Sequence, residues 1–187
     1  RGDKLVCEAY WSPVKANENH RMYSQTKSYV GMAIGQLIAE DKLGLHDKII
    51  DYFPEYLPKE VHPYLAAQTI EHMLNMHTCF TTCPWLSNHG GDRVRYYFSR
   101  KPEHYPGTVF FYDSTGSFVL GALVQKLTGK TFLEYLKDKA LRKIGFSETS
   151  RVLTCPGGFA WSDSALLCTS MDMLLFGRLL ANKGEWN

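Results

Sequence analysis

The stretch Arg21-Met22-Tyr23-Ser24-Gln25-Thr26-Lys27-Ser28 decides how the rest of the chain is read. It opens a segment, about Ser24 to Glu40, in which Val30, Ala33, Ile34, Leu37 and Ile38 recur at helical spacing and predict one buried stripe. Residues three apart on a helix share a face, so the Ser24 hydroxyl and the Lys27 amine are brought together. A serine hydroxyl is a poor nucleophile until a neighbour takes its proton. A lysine amine does so where burial or nearby cations favour its neutral form. A helix start adds backbone N–H groups and the positive end of the dipole beside a developing oxyanion. Taken alone the tetrad is common by chance, and a serine N-cap followed by a solvated lysine accounts for most such cases.

Outward from this helix, Lys42-Leu43-Gly44 is expected to close it, because glycine readily takes the left-handed cap conformation. Asp47 to Pro58 reads as irregular, punctuated by Pro54 and Pro58. A short helix is expected from Thr69, with Glu71 in its first turn and Ile70, Met73, Leu74 and His77 on one face. Cys79 to Pro106 holds no long apolar period and reads mostly as loop. A helix from Ser114 carries Phe118, Leu120, Leu123, Val124 and Leu127 and ends at Gly129; Thr131 and Glu134 then form a capping box for a helix to about Arg142. The last helix is expected from Ser170 to Asn182, with Met173, Phe176, Leu179 and Leu180 inward and Lys183-Gly184 as its stop. At the other end, Arg1-Gly2-Asp3-Lys4 reads as a tight turn into a strand, Leu5 to Trp11. Such a turn should follow an earlier strand, so the expectation is a missing amino terminus, and with it any export signal.

At 187 residues the chain is long enough for one core, and 44% hydrophobic against 21% charged residues is an ordinary globular composition for which disorder is not the default reading. A net charge of +2 with scattered Lys and Arg gives no basic block for nucleic acid or an anionic membrane, and no apolar run reaches the roughly 20 residues of a membrane span. Cys7, Cys79, Cys83, Cys155 and Cys168 are irregularly spaced and odd in number, so free thiols and a reducing, cytoplasmic compartment are expected, with export open if a leader precedes. Cys79 and Cys83 form a C-x3-C pair, but no second Cys/His pair has zinc spacing, and no metal or other cofactor is expected. Gly129-Lys130-Thr131 ends like a phosphate loop, yet Val124 stands where its first glycine is needed. Glu71, His72 and His77 have neither the order nor the spacing of a zinc protease motif, and His77 reads as structural.

The Ser24 to Lys27 helix, followed by Gly44-Leu45-His46-Asp47-Lys48-Ile49, resembles the nucleophile helix of class C beta-lactamases, D-alanyl-D-alanine carboxypeptidases and related esterases. Three further segments resemble the same family in the same order. They are Thr69 to His77, Phe111 to Thr131 and Pro156-Gly157-Gly158-Phe159 to Gly184, so the resemblance covers most of the chain. The family's second motif, Tyr-x-Asn, reads here Tyr112-Asp113-Ser114. The resemblance makes Tyr112 a proton partner of Ser24 and the leaving group, and Ser114 a substrate-binding position. A serine there lacks the two N–H donors and the reach of asparagine. The third motif, Lys-Thr-Gly or His-x-Gly, has no counterpart in these residues, since Lys130-Thr131-Phe132 lacks the glycine and starts a helix.

What the resemblance implies is an α+β, beta-lactamase/transpeptidase-like fold: a mostly helical piece with an incomplete antiparallel sheet holding one strand or two. Residues 1–187 would form a single partial domain, truncated before the third motif and at the amino terminus and inactive alone. Its open sheet edge would pair with the remaining carboxy-terminal part or another chain. The implied chemistry is acyl transfer from an ester, amide or beta-lactam through Ser24, with Lys27 and Tyr112 moving protons and no cofactor. The partner is then a small-molecule or peptide substrate, not nucleic acid. The alternative is a catalytically silent relative that binds a peptidoglycan-like ligand or a partner protein.

Overall fold

The structure, a computed structural model, describes residues 4–84 and 91–186. A two-residue strand β1 (His20–Arg21) leads through a 3-10 turn (Tyr23–Gln25) into α1 (Thr26–Ala39). Two 3-10 turns (Ile49–Tyr52 and Pro54–Tyr56) fill the proline-punctuated stretch, followed by α2 (Pro63–Ala67) and α3 (Ile70–Leu74). Then come α4 (Arg93–Ser99), α5 (Ser114–Thr128) and α6 (Phe132–Lys139). A 3-10 turn (Leu141–Ile144), β2 (Arg151–Val152), β3 (Leu166–Cys168) and α7 (Ser170–Ala181) complete the order. Helix dominates an α+β architecture. Its sheet has three short antiparallel strands in the order β1-β3-β2, one more than expected, with His20 opposite Cys168 and Arg151 opposite Leu167.

The core forms where α1 packs against α5 and α6. Val30, Ala33, Ile34 and Leu37 are buried as their spacing requires, and the Tyr29 ring stacks on Phe176 of α7 at 3.8 Å. Burying one such side chain contributes about 1.5–3 kcal/mol, which outweighs the weak helix propensity of the β-branched residues. The central element is α5, buried continuously from Gly116 to Val124 and capped by Gly129 at φ 70°. Among the described residues no helix is long and apolar enough to cross a membrane.

Several expectations are corrected. Leu5 to Trp11 is not a strand: it has no ladder partner, and Val6 and Trp11 stay exposed. The turn proposed before it lies largely outside the described residues. Asp41, not Gly44, takes the left-handed position after α1 (φ 54°), and the Asp41 and Lys42 N–H groups return to Ile38 and Leu37 carbonyls as a Schellman cap. Gly44 matters otherwise, because a Cβ there would meet the Asp47 carboxylate at 2.8 Å. The segment read as loop contains α4, whose Val94, Tyr97 and Phe98 are buried at helical spacing. The carboxy-terminal end of α6 is Lys139 rather than about Arg142, since Ala140 leaves helical geometry and a 3-10 turn follows. Of the four α7 residues expected inward, Phe176 and Leu179 face the core, whereas Met173 and Leu180 are exposed.

Two caps generate predictions. Asp113 caps α5 by accepting from the Thr115 N–H and pairs with Arg100 at 3.0 Å, both side chains almost fully buried. Asp113→Ala leaves that guanidinium uncompensated and should cost roughly 3–5 kcal/mol in urea unfolding. Adding Arg100→Met is expected to recover part of the loss. The α3 capping box uses His72, whose Nδ1 accepts from the Thr69 N–H at 3.2 Å, so the cap requires a neutral ring. Burial, above all, pushes the His72 pKa down, with the Lys48 charge acting the same way. A base with a depressed folded pKa gives stability that is complete above the unfolded value of about 6.5 and is lost as pH falls through the folded value. Unfolding midpoints should fall below pH 6.5, and His72→Gln, which keeps a box acceptor, should flatten that fall.

Candidate active site

The start of α1 is fixed by β3. The Met22 N–H donates to the Leu166 carbonyl at 2.8 Å, and the Leu166 N–H donates to Oγ1 of the buried Thr26 at 3.2 Å. Between these two ties the chain makes a tight 3-10 turn carrying Ser24. Its first residue, Tyr23, sits at φ 47°, a left-handed conformation that costs a non-glycine residue on the order of 1–2 kcal/mol. The neighbouring ties hold it there, since such a conformation persists only where the surroundings over-determine it.

Ser24 is exposed, and Lys27, one turn on, is half-buried. The Lys27 Nζ donates to Ser24 Oγ at 3.2 Å and to the backbone carbonyl of Asp163 at 2.8 Å. The same Nζ stands 5.1 Å from the ring centroid of Tyr112, which arrives from the loop before α5. Three side chains singled out in the sequence, Ser24, Lys27 and Tyr112, therefore meet at one surface corner.

Tyr112 is held from both sides. The Phe111 N–H donates to the Met76 carbonyl at 2.9 Å, and the Gly107 N–H to the His77 carbonyl at the same distance. His77 lies three residues beyond the end of α3, with Nδ1 on the Asn75 carbonyl at 2.8 Å and its ring edge-on to Phe110, so its contacts are those of a scaffold residue. On the other side, Asp113 anchors Tyr112 through Arg100, whose guanidinium lies 3.9 Å above the Phe80 ring and also reaches the Thr82 carbonyl.

Ser114 opens α5 half-exposed, but the described contacts of Lys27 run to Ser24, Asp163 and Tyr112 and not to it. The carbonyl of Asp163 takes the ammonium hydrogen bond instead. Sequence reading passed over Asp163, Thr26 and Arg100. A backbone carbonyl has no sequence signature, and Arg100 lay in the segment taken for loop. Open grooves among the described residues include one of about 400 Å³ beside Trp11, Met171 and Leu174 and another beside Tyr96, Arg100 and Glu103. Among the described residues no cluster of His, Cys, Asp and Glu could hold a metal ion, and the five cysteines are free.

Comparison with known proteins agrees with this architecture. The 6-aminohexanoate-dimer hydrolase of Paenarthrobacter ureafaciens is 22% identical over 199 residues, covering 98% of this chain and 51% of the relative. A solved structure from Bacillus anthracis, provisionally assigned as a 6-aminohexanoate-dimer hydrolase, superposes with a TM-score of 0.83 at 24% identity, over 98% of this chain and 53% of that one. The D-amino acid amidase of Ochrobactrum anthropi SV3, solved with L-phenylalanine, gives a TM-score of 0.69 at 18% identity, over 92% of this chain and 57% of that one. At these identities the structural likeness is one of fold, and the chain spans about half the length of the relatives it matches. A family model described as Beta-lactamase matches residues 1–155. With most of its length under that match, the chain belongs to the beta-lactamase family.

Proposed function

We propose that the protein is a serine hydrolase working through an acyl-enzyme, with Ser24 as nucleophile, Lys27 as its base and Tyr112 as a second proton carrier. The observation that carries this reading is the Lys27 amine, 3.2 Å from the Ser24 hydroxyl and 5.1 Å from the Tyr112 ring centre. In the reaction Ser24 Oγ bonds to a carbonyl carbon while its proton passes to Lys27. The tetrahedral oxyanion is met by the Ser24 backbone N–H in the 3-10 turn that leads into α1. The leaving group departs with a proton delivered through Tyr112, and water then cleaves the acyl ester by the same relay in reverse.

Among substrates, a small amide, ester or D-amino-acid peptide is favoured over a beta-lactam antibiotic. Ser114 supports this, because its hydroxyl offers one donor where the motif's amide offers two. The relatives' names, a 6-aminohexanoate-dimer hydrolase and a D-amino acid amidase, point the same way, towards amide bonds. A second reading, a catalytically silent relative that binds a peptidoglycan-like ligand or partner protein, also draws on Ser114. Acylation without turnover would favour it.

The test is labelling of the full chain by a fluorophosphonate or a fluorescent penicillin. Ser24→Ala is expected to abolish the label, and a label that survives overturns the assignment. Lys27→Ala should slow acylation by about 10²- to 10⁴-fold, as loss of a general base does, and Tyr112→Phe should slow it at the lower end of that range. Ser114→Asn, which restores the longer two-donor amide, should raise the rate of penicillin acylation relative to a simple ester. Equal ratios for both reagents would remove Ser114 as the discriminating position.

A further inference from the structure

The segment from Trp161 to Leu166, which leads into β3, carries three consecutive polar residues in the interior. Ser162 and Asp163 are 0% exposed and Ser164 is 5% exposed. Polar groups are buried in a row only where each finds partners, and here the partners come from four different elements, α5, β1, α4 and α1. Ser162 Oγ donates to the Phe118 carbonyl in α5 at 3.0 Å. Ser164 receives Arg21 from β1, at 3.0 Å to its carbonyl and 3.3 Å to its hydroxyl. The side chain of Asp163, between them, lies 3.9 Å from Arg93, and its carbonyl takes the Lys27 ammonium at 2.8 Å.

The tightest contact in this segment is steric. A Cβ built on Gly121 would lie 2.0 Å from Ser162 Oγ and 2.1 Å from Ser162 Cβ, so the serine occupies the space that glycine leaves in α5. The Cβ of Ser162 cannot rotate out of the way. Any side chain at position 121 must therefore push the backbone of the segment, and the following residue, Asp163, is the one whose carbonyl holds Lys27.

We infer that Ser162, seated in the Gly121 notch of α5, is a positioning residue that sets the Asp163 carbonyl and through it the Lys27 amine against Ser24. The inference rests on the serine-hydrolase reading above and adds to it the device that holds the base. Misplacement of a reacting group by about 1 Å can cost on the order of 100-fold in rate, so a notch of this kind is worth defending.

The experiment compares the full chain with Gly121→Ala, Ser162→Gly and the double variant, in which an alanine methyl on α5 fills the notch that the serine side chain leaves. Two quantities are read well below the melting midpoint. One is the concentration dependence of fluorophosphonate labelling, which separates binding from the acylation step. The other is the ¹³C resonance of reductively methylated Lys27, assigned by its loss in Lys27→Arg. Gly121→Ala should slow the acylation step by about 10- to 100-fold with little change in the half-saturating concentration, and the double variant should regain most of the rate. A folded Gly121→Ala that acylates at the parental rate overturns the inference. So does a double variant that regains its melting midpoint but not its rate. If Gly121→Ala does not fold, Ser162→Gly, which empties the notch, must slow the same step, and an unchanged rate counts against the proposal. If the parent is never labelled at Ser24, the hydrolase reading fails on its own. The Lys27 resonance must then still move in the folded notch variant and return in the double; one that stays fixed overturns the positioning role.

Discussion

The Lys27 ammonium is suspended between a hydroxyl one helical turn away and a main-chain carbonyl 136 residues further along the chain. A half-buried cation loses water on one side and must replace it with protein oxygens, each such charge-assisted bond contributing about 1.5–3 kcal/mol. That requirement explains why β3 is stitched so closely to the head of α1. Leu166 accepts from Met22 and donates to Thr26, so the strand fixes the turn that carries the serine while the residues before it fix the amine. Tyr23 in a left-handed conformation is the local cost of that fit.

Helix α5 serves both walls of the corner. Its amino-terminal cap, Asp113, is locked to Arg100 and leaves Tyr112 in place, while its middle turn accepts Ser162 beside Gly121. Because this helix is buried from Gly116 to Val124, neither wall rests on a mobile support. The buried Arg100–Asp113 pair is weak evidence for net stability, since desolvation offsets most of its attraction. Its value lies in direction: the guanidinium is fixed by the faces of Phe80 and Tyr97 and by Thr82, and so the carboxylate has one position available.

How much of this could be read from the amino-acid sequence depends on whether the signal was local. The α1 stripe, the helix start at Thr69, the Thr131 capping box, the Gly129 cap and the meeting of Ser24 with Lys27 follow from spacing and side-chain chemistry within a few residues. Helix α4 was legible in principle, in Val94, Tyr97 and Phe98, but its seven residues are too few to stand out from a polar surround. The strand expected at Leu5 to Trp11 failed because pairing depends on a neighbour that local pattern does not supply. The acceptor at Asp163 was not legible at all. Every residue has a carbonyl, and only the path of the segment decides which one turns towards an amine.

The distance along the chain between that amine and its second oxygen carries a consequence for biosynthesis. Ser24 and Lys27 leave the ribosome together, yet the residue that steadies the amine follows 136 positions later, on the order of ten seconds at ordinary elongation rates. During that interval the helix can form but the socket cannot. A nascent chain therefore presents Lys27 beside Ser24 but without its second oxygen, and the arrangement is completed only as β3 docks.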